Sequence, residues 1–255
     1  MTLERRKVLF IDSAIPEEIE AALSRGAQGV TTNPSLVAKA PKGDMAKQFI
    51  DRYVDHMKGI AELAKEYPTI DGKTPSLSVE VFSSDPDEMF RQAHEIKKAI
   101  GYDNLAIKIP LSYEGVDYLQ LIRTLSKEGM VVNATCGFSE SQLELAAQAG
   151  ARFVSLFYNR LIDYFNGLPN SSGDGQERAL EIVRDVRKYL DDNPTLESEI
   201  IFGSIRKPYD VTNGWKNGAH IVTAGYKVFP GMIQHSGTDA SVKGFLDDLE
   251  KWKGE

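Results

Sequence analysis

The chain has 255 residues, 42% of them hydrophobic and 26% charged, which is an ordinary globular composition with length enough for one large core. Thirty basic against thirty-seven acidic residues leave a formal net charge of −7. That works against a duplex-binding surface, because affinity for a phosphate backbone comes from clustered Lys and Arg, so no nucleic-acid partner is expected; a small anion needs only local positive charge. The single cysteine, Cys136, excludes an intramolecular disulfide and a cysteine-based zinc cluster and suits a reducing compartment.

No window approaches the roughly 20 apolar residues that cross a bilayer, and the apolar run within Met1–Ile11 is too short for a signal peptide. The expectation is a cytoplasmic protein with no membrane partner. Asn166–Gly175 (NGLPNSSGDG) reads as a surface loop. With no linker in view, residues 1–255 are expected to form one domain.

In chain order, eight short runs rich in Val, Ile and Phe alternate with longer amphipathic stretches. They are Lys7–Asp12 (KVLFID), Gly29–Asn33 (GVTTN), Ser76–Phe82 (SLSVEVF), Leu105–Ile109 (LAIKI), Val131–Thr135 (VVNAT), Phe153–Phe157 (FVSLF), Ile200–Ser204 (IIFGS) and His220–Ala224 (HIVTA). This alternation predicts βα units around a parallel sheet. Pro16, followed by Glu17 and Glu18, suits a first helical turn. Val116, Leu119, Ile122 and Leu125 recur at three-residue steps and predict a helix. A second amphipathic stretch, Asp239–Trp252, carries Val242, Phe245, Leu246 and Leu249 at helical spacing. Eight strands at this length predict an α/β fold, a (β/α)₈ TIM barrel with an additional C-terminal helix. An open doubly wound sheet fits less well, since no GxGxxG or GxxxxGK[ST] follows the first strand.

A barrel of this kind places its chemistry at the C-terminal ends of its strands. The polar residues there are Asp12, Thr31, Thr32, Asn33, Glu80, Lys108, Asn133, Thr135, Ser155, Arg160, Ser204 and Arg206. A charge inside an apolar strand costs several kcal/mol, in order of magnitude, unless it is paired. Any one of these residues could belong to a structural ion pair; several on different strands favour a site. Lys108, within LAIKIP, has apolar neighbours on both sides. Desolvation favours the free amine of a lysine, the form that adds to a carbonyl carbon. It could equally be a lysine bonded to a barrel carboxylate, with Asp12 or Glu80 as partner. Asn33 before Pro34 could cap the next helix, and the hydroxyls of Thr135 and Ser155 could bond backbone. Arg206 could be a solvated loop end and Cys136 inert core. The four histidines have no ligand spacing, so neither a metal site nor a cofactor is expected.

FIDSA around Asp12, TTNPS around Asn33, SVEV around Glu80, IKIP around Lys108, NATCGFS around Asn133 and Thr135, VSLFYNR around Ser155 and Arg160, and GSIR around Ser204 and Arg206 follow one another in order. KV at Lys227 and HSGTD at His235 continue the series. In this the chain resembles the transaldolase family, over nearly its whole length. The resemblance implies a barrel that moves dihydroxyacetone units between sugar phosphates through a lysine imine, as in the non-oxidative pentose phosphate pathway. It implies Lys108 as the Schiff-base lysine, Asp12 as acid/base at the carbon–carbon bond, and Glu80 with Thr135 holding a proton-relay water. Asn33, Asn133 and Ser155 would hold the dihydroxyacetone hydroxyls, and Arg160, Ser204 and Arg206 the phosphate. Guanidinium groups independently suit phosphate through bidentate charge-assisted bonds.

A related group of short aldolases cleaves without transfer and typically has glutamine at the Glu80 position and tyrosine at the Phe157 position, so Glu80 and Phe157 favour transfer. Leu156, Cys136 and Tyr158 depart from the family pattern beside the site, which leaves a modified acceptor or donor open, for example a sulfonated sugar. The alternatives are a Schiff-base fructose-6-phosphate-type lyase and a non-catalytic sugar-phosphate-binding barrel; the intact lysine and carboxylates disfavour the latter. The resemblance also implies that the C-terminal helix lies on a neighbouring subunit, in a homo-oligomer of pentamer or decamer type.

Overall fold

The computed structural model describes residues 7–169 and 171–254. Each of the eight apolar runs matches a strand to within two residues at either end: β1 (Val8–Asp12), β2 (Gly29–Thr31), β3 (Ser76–Glu80), β4 (Leu105–Pro110), β5 (Val131–Gly137), β6 (Phe153–Phe157), β7 (Glu199–Ile205) and β8 (Ile221–Ala224). Each strand pairs in parallel with its sequence neighbours and β8 closes onto β1, so the sheet is a closed eight-stranded barrel. Around it run α1 (Pro16–Leu23), α2 (Pro34–Val37), α3 (Phe49–Lys65), α4 (Pro86–Ile100), α5 (Leu119–Lys127) and α6 (Glu140–Gln148). They are followed by α7 (Tyr158–Asn166), α8 (Gly175–Asp192), α9 (Pro208–Lys216), α10 (Phe229–Ile233) and α11 (Ser236–Lys253). This is the (β/α)₈ architecture with a further C-terminal helix. Among the described residues no helix is long and apolar enough to cross a membrane.

Local chemistry starts several of these helices. Proline occupies the first turn of α1, α2, α4 and α9, where its missing N–H costs nothing. Asp85 caps α4 by accepting from Glu88 N at 2.8 Å. One periodic expectation fails: Val116 is not helical. It pairs with Tyr113 in a two-stranded hairpin and is exposed. The turn residues Glu114 and Gly115 both have positive φ, 46° and 83°, as a tight hairpin requires. That turn takes the chain out of helical register until Leu119.

Side-chain alternation along the strands divides the barrel interior by polarity. Toward the N-terminal ends, Phe10, Ala106, Phe153, Ile201 and Ile221 pack together inside the barrel. The Phe10 ring lies beside β2, where a Cβ on Gly29 would come 2.5 Å from it, so any larger residue there would have to displace the ring. Two residues further along β1, β4, β6, β7 and β8 stand Asp12, Lys108, Ser155, Gly203 and Thr223, which line the open mouth. The intervening residues, such as Ile11, Ile107, Ala134 and Val154, belong to the larger cluster that joins sheet to helices. The apolar plug closes the barrel below, and the polar layer above is left facing solvent.

Candidate active site

The mouth is lined by Asp12, Thr31, Asn33, Lys108, Asn133, Thr135, Ser155, Phe157, Ile201, Gly203, Ser204 and Thr223. Lys108 sits at its floor, 5% exposed. Its Nζ donates to Glu80 Oε2 at 2.8 Å and to the Thr32 carbonyl at 2.6 Å. Glu80 and Lys108 are register partners across β3 and β4, so the pair is set by the sheet. Thr32, read as part of the polar ring, turns its hydroxyl outward to the Ser78 carbonyl and contributes only its backbone oxygen.

Asp12 accepts from Thr31 Oγ1 at 2.7 Å, and Thr31 lies 2.6 Å from Thr223 Oγ1. With Asp12 ionised, Thr31 donates to the carboxylate and accepts from Thr223. Burial pushes the Asp12 carboxyl above its usual pKa; the nearby Lys108 charge and the Thr31 bond oppose this, and Glu80 adds to it. The barrel mouth thus holds a proton on this carboxyl to higher pH than an ordinary aspartate would.

Asn133, beside Lys108 on β5, accepts from Ser155 Oγ at 2.7 Å and donates to Ser78 Oγ at 3.2 Å. Asn33 is both cap and lining residue: Oδ1 accepts from Leu36 N at 3.0 Å to start α2. Thr135 Oγ1 is buried and makes no hydrogen bond within the protein. An orphaned hydroxyl in a polar cleft carries a desolvation cost that a bound polar group relieves. Cys136 follows it with φ 63°, and burial pushes its thiol pKa up, the opposite of what an activated nucleophile requires.

The arginines stand at the rim, outside the lining of the mouth. The Arg160 guanidinium lies over the Phe157 ring, 4.8 Å from its centroid, and its charge reaches Asp12. Arg206 is half exposed and forms a bidentate pair with Asp163, Nη1 to Oδ1 at 2.9 Å and Nη2 to Oδ2. Hydrogen bonding from Arg206 holds the Asp163 carboxyl below its ordinary range. Ser204, the penultimate residue of β7, has φ 61°, a left-handed conformation uncommon for serine. Its carbonyl accepts from Asn159 Nδ2 at 2.8 Å. β6 and β7 are adjacent, and so bring Ser155, Phe157 and Gly203 side by side.

The family model for transaldolase/fructose-6-phosphate aldolase matches residues 9–254. A protein named probable transaldolase from Thermoanaerobacter sp. (strain X514) is 37% identical over 243 residues, covering 95% of this chain and 96% of the relative. Another of that name from Chlorobium phaeobacteroides (strain BS1) is 38% identical over 240 residues, 94% and 96% of the two chains. The chain belongs to the transaldolase/fructose-6-phosphate aldolase family. In fold it also resembles a crystal structure of 2,3-dimethylmalate lyase, with TM-score 0.55, 14% identity, and coverage of 97% of this chain and 84% of that one. At that identity the likeness concerns the barrel alone.

Several residues of this candidate site lie outside the polar ring read from the sequence. Ser78 and Thr223 lie in the interior layer two residues from Glu80 and one from the end of β8, and period-two counting along SLSVE and IVTA would have found them. Asn159 and Asp210 had no such signal. Asp210 is buried and accepts from Arg206 N and Lys207 N, each at 3.0 Å, and from Asn159 Nδ2 at 2.9 Å. Three donors on one carboxylate hold the chain immediately after Ser204. Only the folding of α7 and α9 against β7 brings these residues together.

Proposed function

We propose that this protein is a transaldolase that moves a dihydroxyacetone unit between sugar phosphates through an imine on Lys108, as in the non-oxidative pentose phosphate pathway. The observation that carries this reading is a buried lysine bonded to Glu80 on the floor of a polar mouth that also holds Asp12. In the forward half-reaction Lys108 gives one ammonium proton to Glu80, and the free amine adds to the ketose carbonyl, whose oxygen takes the proton that the nitrogen then loses. Glu80 then returns a proton as the carbinolamine oxygen leaves as water, with Thr135 Oγ1 available to hold that water. Asp12 takes the proton of the hydroxyl on the fourth carbon, the bond between the third and fourth carbons breaks, and an aldose phosphate leaves. The enamine retained on Lys108 attacks an acceptor aldehyde, to which Asp12 returns its proton, and water then hydrolyses the new imine by the reverse of the first steps, releasing the product ketose phosphate and the lysine. Asn33, Asn133 and Ser155 present donors and acceptors to the dihydroxyacetone hydroxyls.

A coupled assay with fructose 6-phosphate separates transfer from cleavage. The expected result is release of glyceraldehyde 3-phosphate that requires erythrose 4-phosphate for continued turnover. Sustained release without an acceptor would instead make the protein a lyase.

Arg160, Ser204 and Arg206 are assigned to the substrate phosphate. Arg160→Ala and Arg206→Ala should each weaken the phosphorylated donor by about ten- to hundredfold, the effect of losing charge-assisted bonds worth roughly 1.5 to 3 kcal/mol. The double variant should lose less than the product of the two, because both hold one group. Dihydroxyacetone, which has no phosphate, should react almost unchanged. Equal losses with both donors would return these arginines to a structural role, for which the Asp163 pair is a ready partner.

The assembly is proposed to be a homo-oligomer of five or ten chains built by exchange of α11. None of the residues of that helix is buried, and Phe245 and Trp252 are 73% and 85% exposed. An apolar stripe of this size favours a partner surface. Light scattering should give a multiple of the chain mass for the full protein and a smaller species once α11 is deleted. A monomer in both cases overturns the exchange.

A further inference from the structure

On its β4 side, Glu80 is held by strand pairing with Lys108. On the other side the ladder runs out. β2 pairs with β3 only as far as Thr31 with Ser78, and the last backbone bond is from Thr32 N to the Ser78 carbonyl at 3.1 Å. Beyond it Asn33 turns away to cap α2, and Pro34 has no N–H to give. The N–H and C=O of Glu80 point toward this gap, because alternate residues of a strand face the same neighbour.

The side chain of Tyr53, from α3, fills the place of the missing strand. Its hydroxyl accepts from Glu80 N at 3.1 Å and donates to the Glu80 carbonyl at 3.2 Å. One atom supplies both halves of the absent ladder. The ring is seated edge-on against Phe82, with centroids 4.4 Å apart and planes at 87°, and the residue is 3% exposed. Burial pushes the phenol pKa up, so the group stays protonated and can donate and accept at once. Tyr53 lines the edge of an apolar groove and does not touch the mouth.

We propose that Tyr53 is a positioning residue for the reaction, fixing the backbone of Glu80 so that its carboxylate stays in reach of the Lys108 nitrogen. This rests on the reading of Glu80 as the group that manages the proton of the amine. Without the Tyr53 hydroxyl the N–H and C=O of Glu80 lose their partner, and the residue is held in place only through the pairing of its strand neighbours with β4, so the carboxylate is less firmly aimed at Nζ. Proton transfer then slows, whereas donor binding, which uses other residues, does not.

The test compares Tyr53→Phe, Glu80→Gln and the double variant, with rates divided by the number of sites that borohydride traps with fructose 6-phosphate, so that misfolded protein is not counted. Tyr53→Phe should lower kcat about tenfold and leave KM within about twofold. In the Glu80→Gln background the same change should have little further effect, since both act on one step. Ile60→Val, which removes a methylene from the buried face of α3 seven residues beyond Tyr53, should leave kcat unchanged. A wild-type kcat for Tyr53→Phe, or an equal drop with and without Glu80, overturns the proposal. A wild-type rate for Glu80→Gln overturns the reading of Glu80 and the role of Tyr53 with it. An impaired Glu80→Gln beside an unimpaired Tyr53→Phe overturns the role of Tyr53 alone. Should Tyr53→Phe not fold, Phe82→Leu, which unseats the ring and keeps the hydroxyl, takes its place; a kcat within about twofold of wild type there is equally decisive.

Discussion

Borohydride reduction of the protein with fructose 6-phosphate leaves a stable three-carbon or six-carbon adduct on the peptide that carries Lys108, and Lys108→Met lowers turnover by on the order of 10⁴ or more. The size of the effect follows from the position. Lys108 is the amine at the floor of the mouth, and its nitrogen already lies 2.8 Å from the carboxylate that would exchange its proton. Methionine preserves length and fills the same space, so a loss of activity is not a loss of packing. It does leave Glu80, whose side chain is 15% exposed, without its counter-ion. Breaking one half of a buried pair costs about 3 to 5 kcal/mol, and a fall in Tm is expected that Lys108→Met with Glu80→Gln partly restores. An unmodified Lys108 in protein that turns substrate over would falsify the imine mechanism.

Glu80→Gln is expected to reduce kcat by roughly 10² or more, the usual contribution of a positioned general acid or base. The amide keeps the shape of the side chain and can still accept from Nζ, but it cannot take the proton. The split between constants carries the argument. A mutated proton-transfer group lowers kcat and kcat/KM together and leaves donor binding in place. If instead affinity falls and the maximal rate is kept, Glu80 is a binding residue, and the acid/base work of imine formation must be sought on Asp12, whose carboxyl burial already holds above its ordinary pKa.

Much of this site could be read from one dimension because a strand alternates. Lys108 sits one step from Ile107 and Ile109, and in a parallel barrel that alternation puts it inside while they face helices. The same rule places Asp12, Asn133 and Ser155. It gives no account of the residues that approach from outside the sheet. Tyr53 lies in an amphipathic helix where a buried aromatic is unremarkable as sequence, and Asp210 follows a helix-starting proline as many acidic residues do. Most of their partners are backbone groups, which carry no sequence signal.

The rim shows the other limit. Arg160 and Arg206 read as a pair of phosphate ligands, yet one guanidinium lies over Phe157 and the other is bonded to Asp163. Long flexible cations take whichever partner lies nearest, and that choice depends on side-chain conformation and not on strand register. The helix expected at Val116 does not form, for a different reason. Its three-residue spacing matched a helix, but two successive positive φ values at Glu114 and Gly115 made a hairpin.

Periodicity and strand count were enough for the eight-stranded barrel, since a run of alternating βα units of this length has few ways to bury both faces of a parallel sheet. They were enough, too, for the end at which the polar residues collect. Tertiary structure decided what those residues touch. It set Glu80 rather than Asp12 within bonding distance of Lys108, because β3 and β4 are neighbours in register whereas β1 stands further round the barrel. It also left α11 uncovered, with its apolar stripe exposed. An amphipathic pattern states that a face must be buried, and only the packed chain shows whether its own barrel provides the surface.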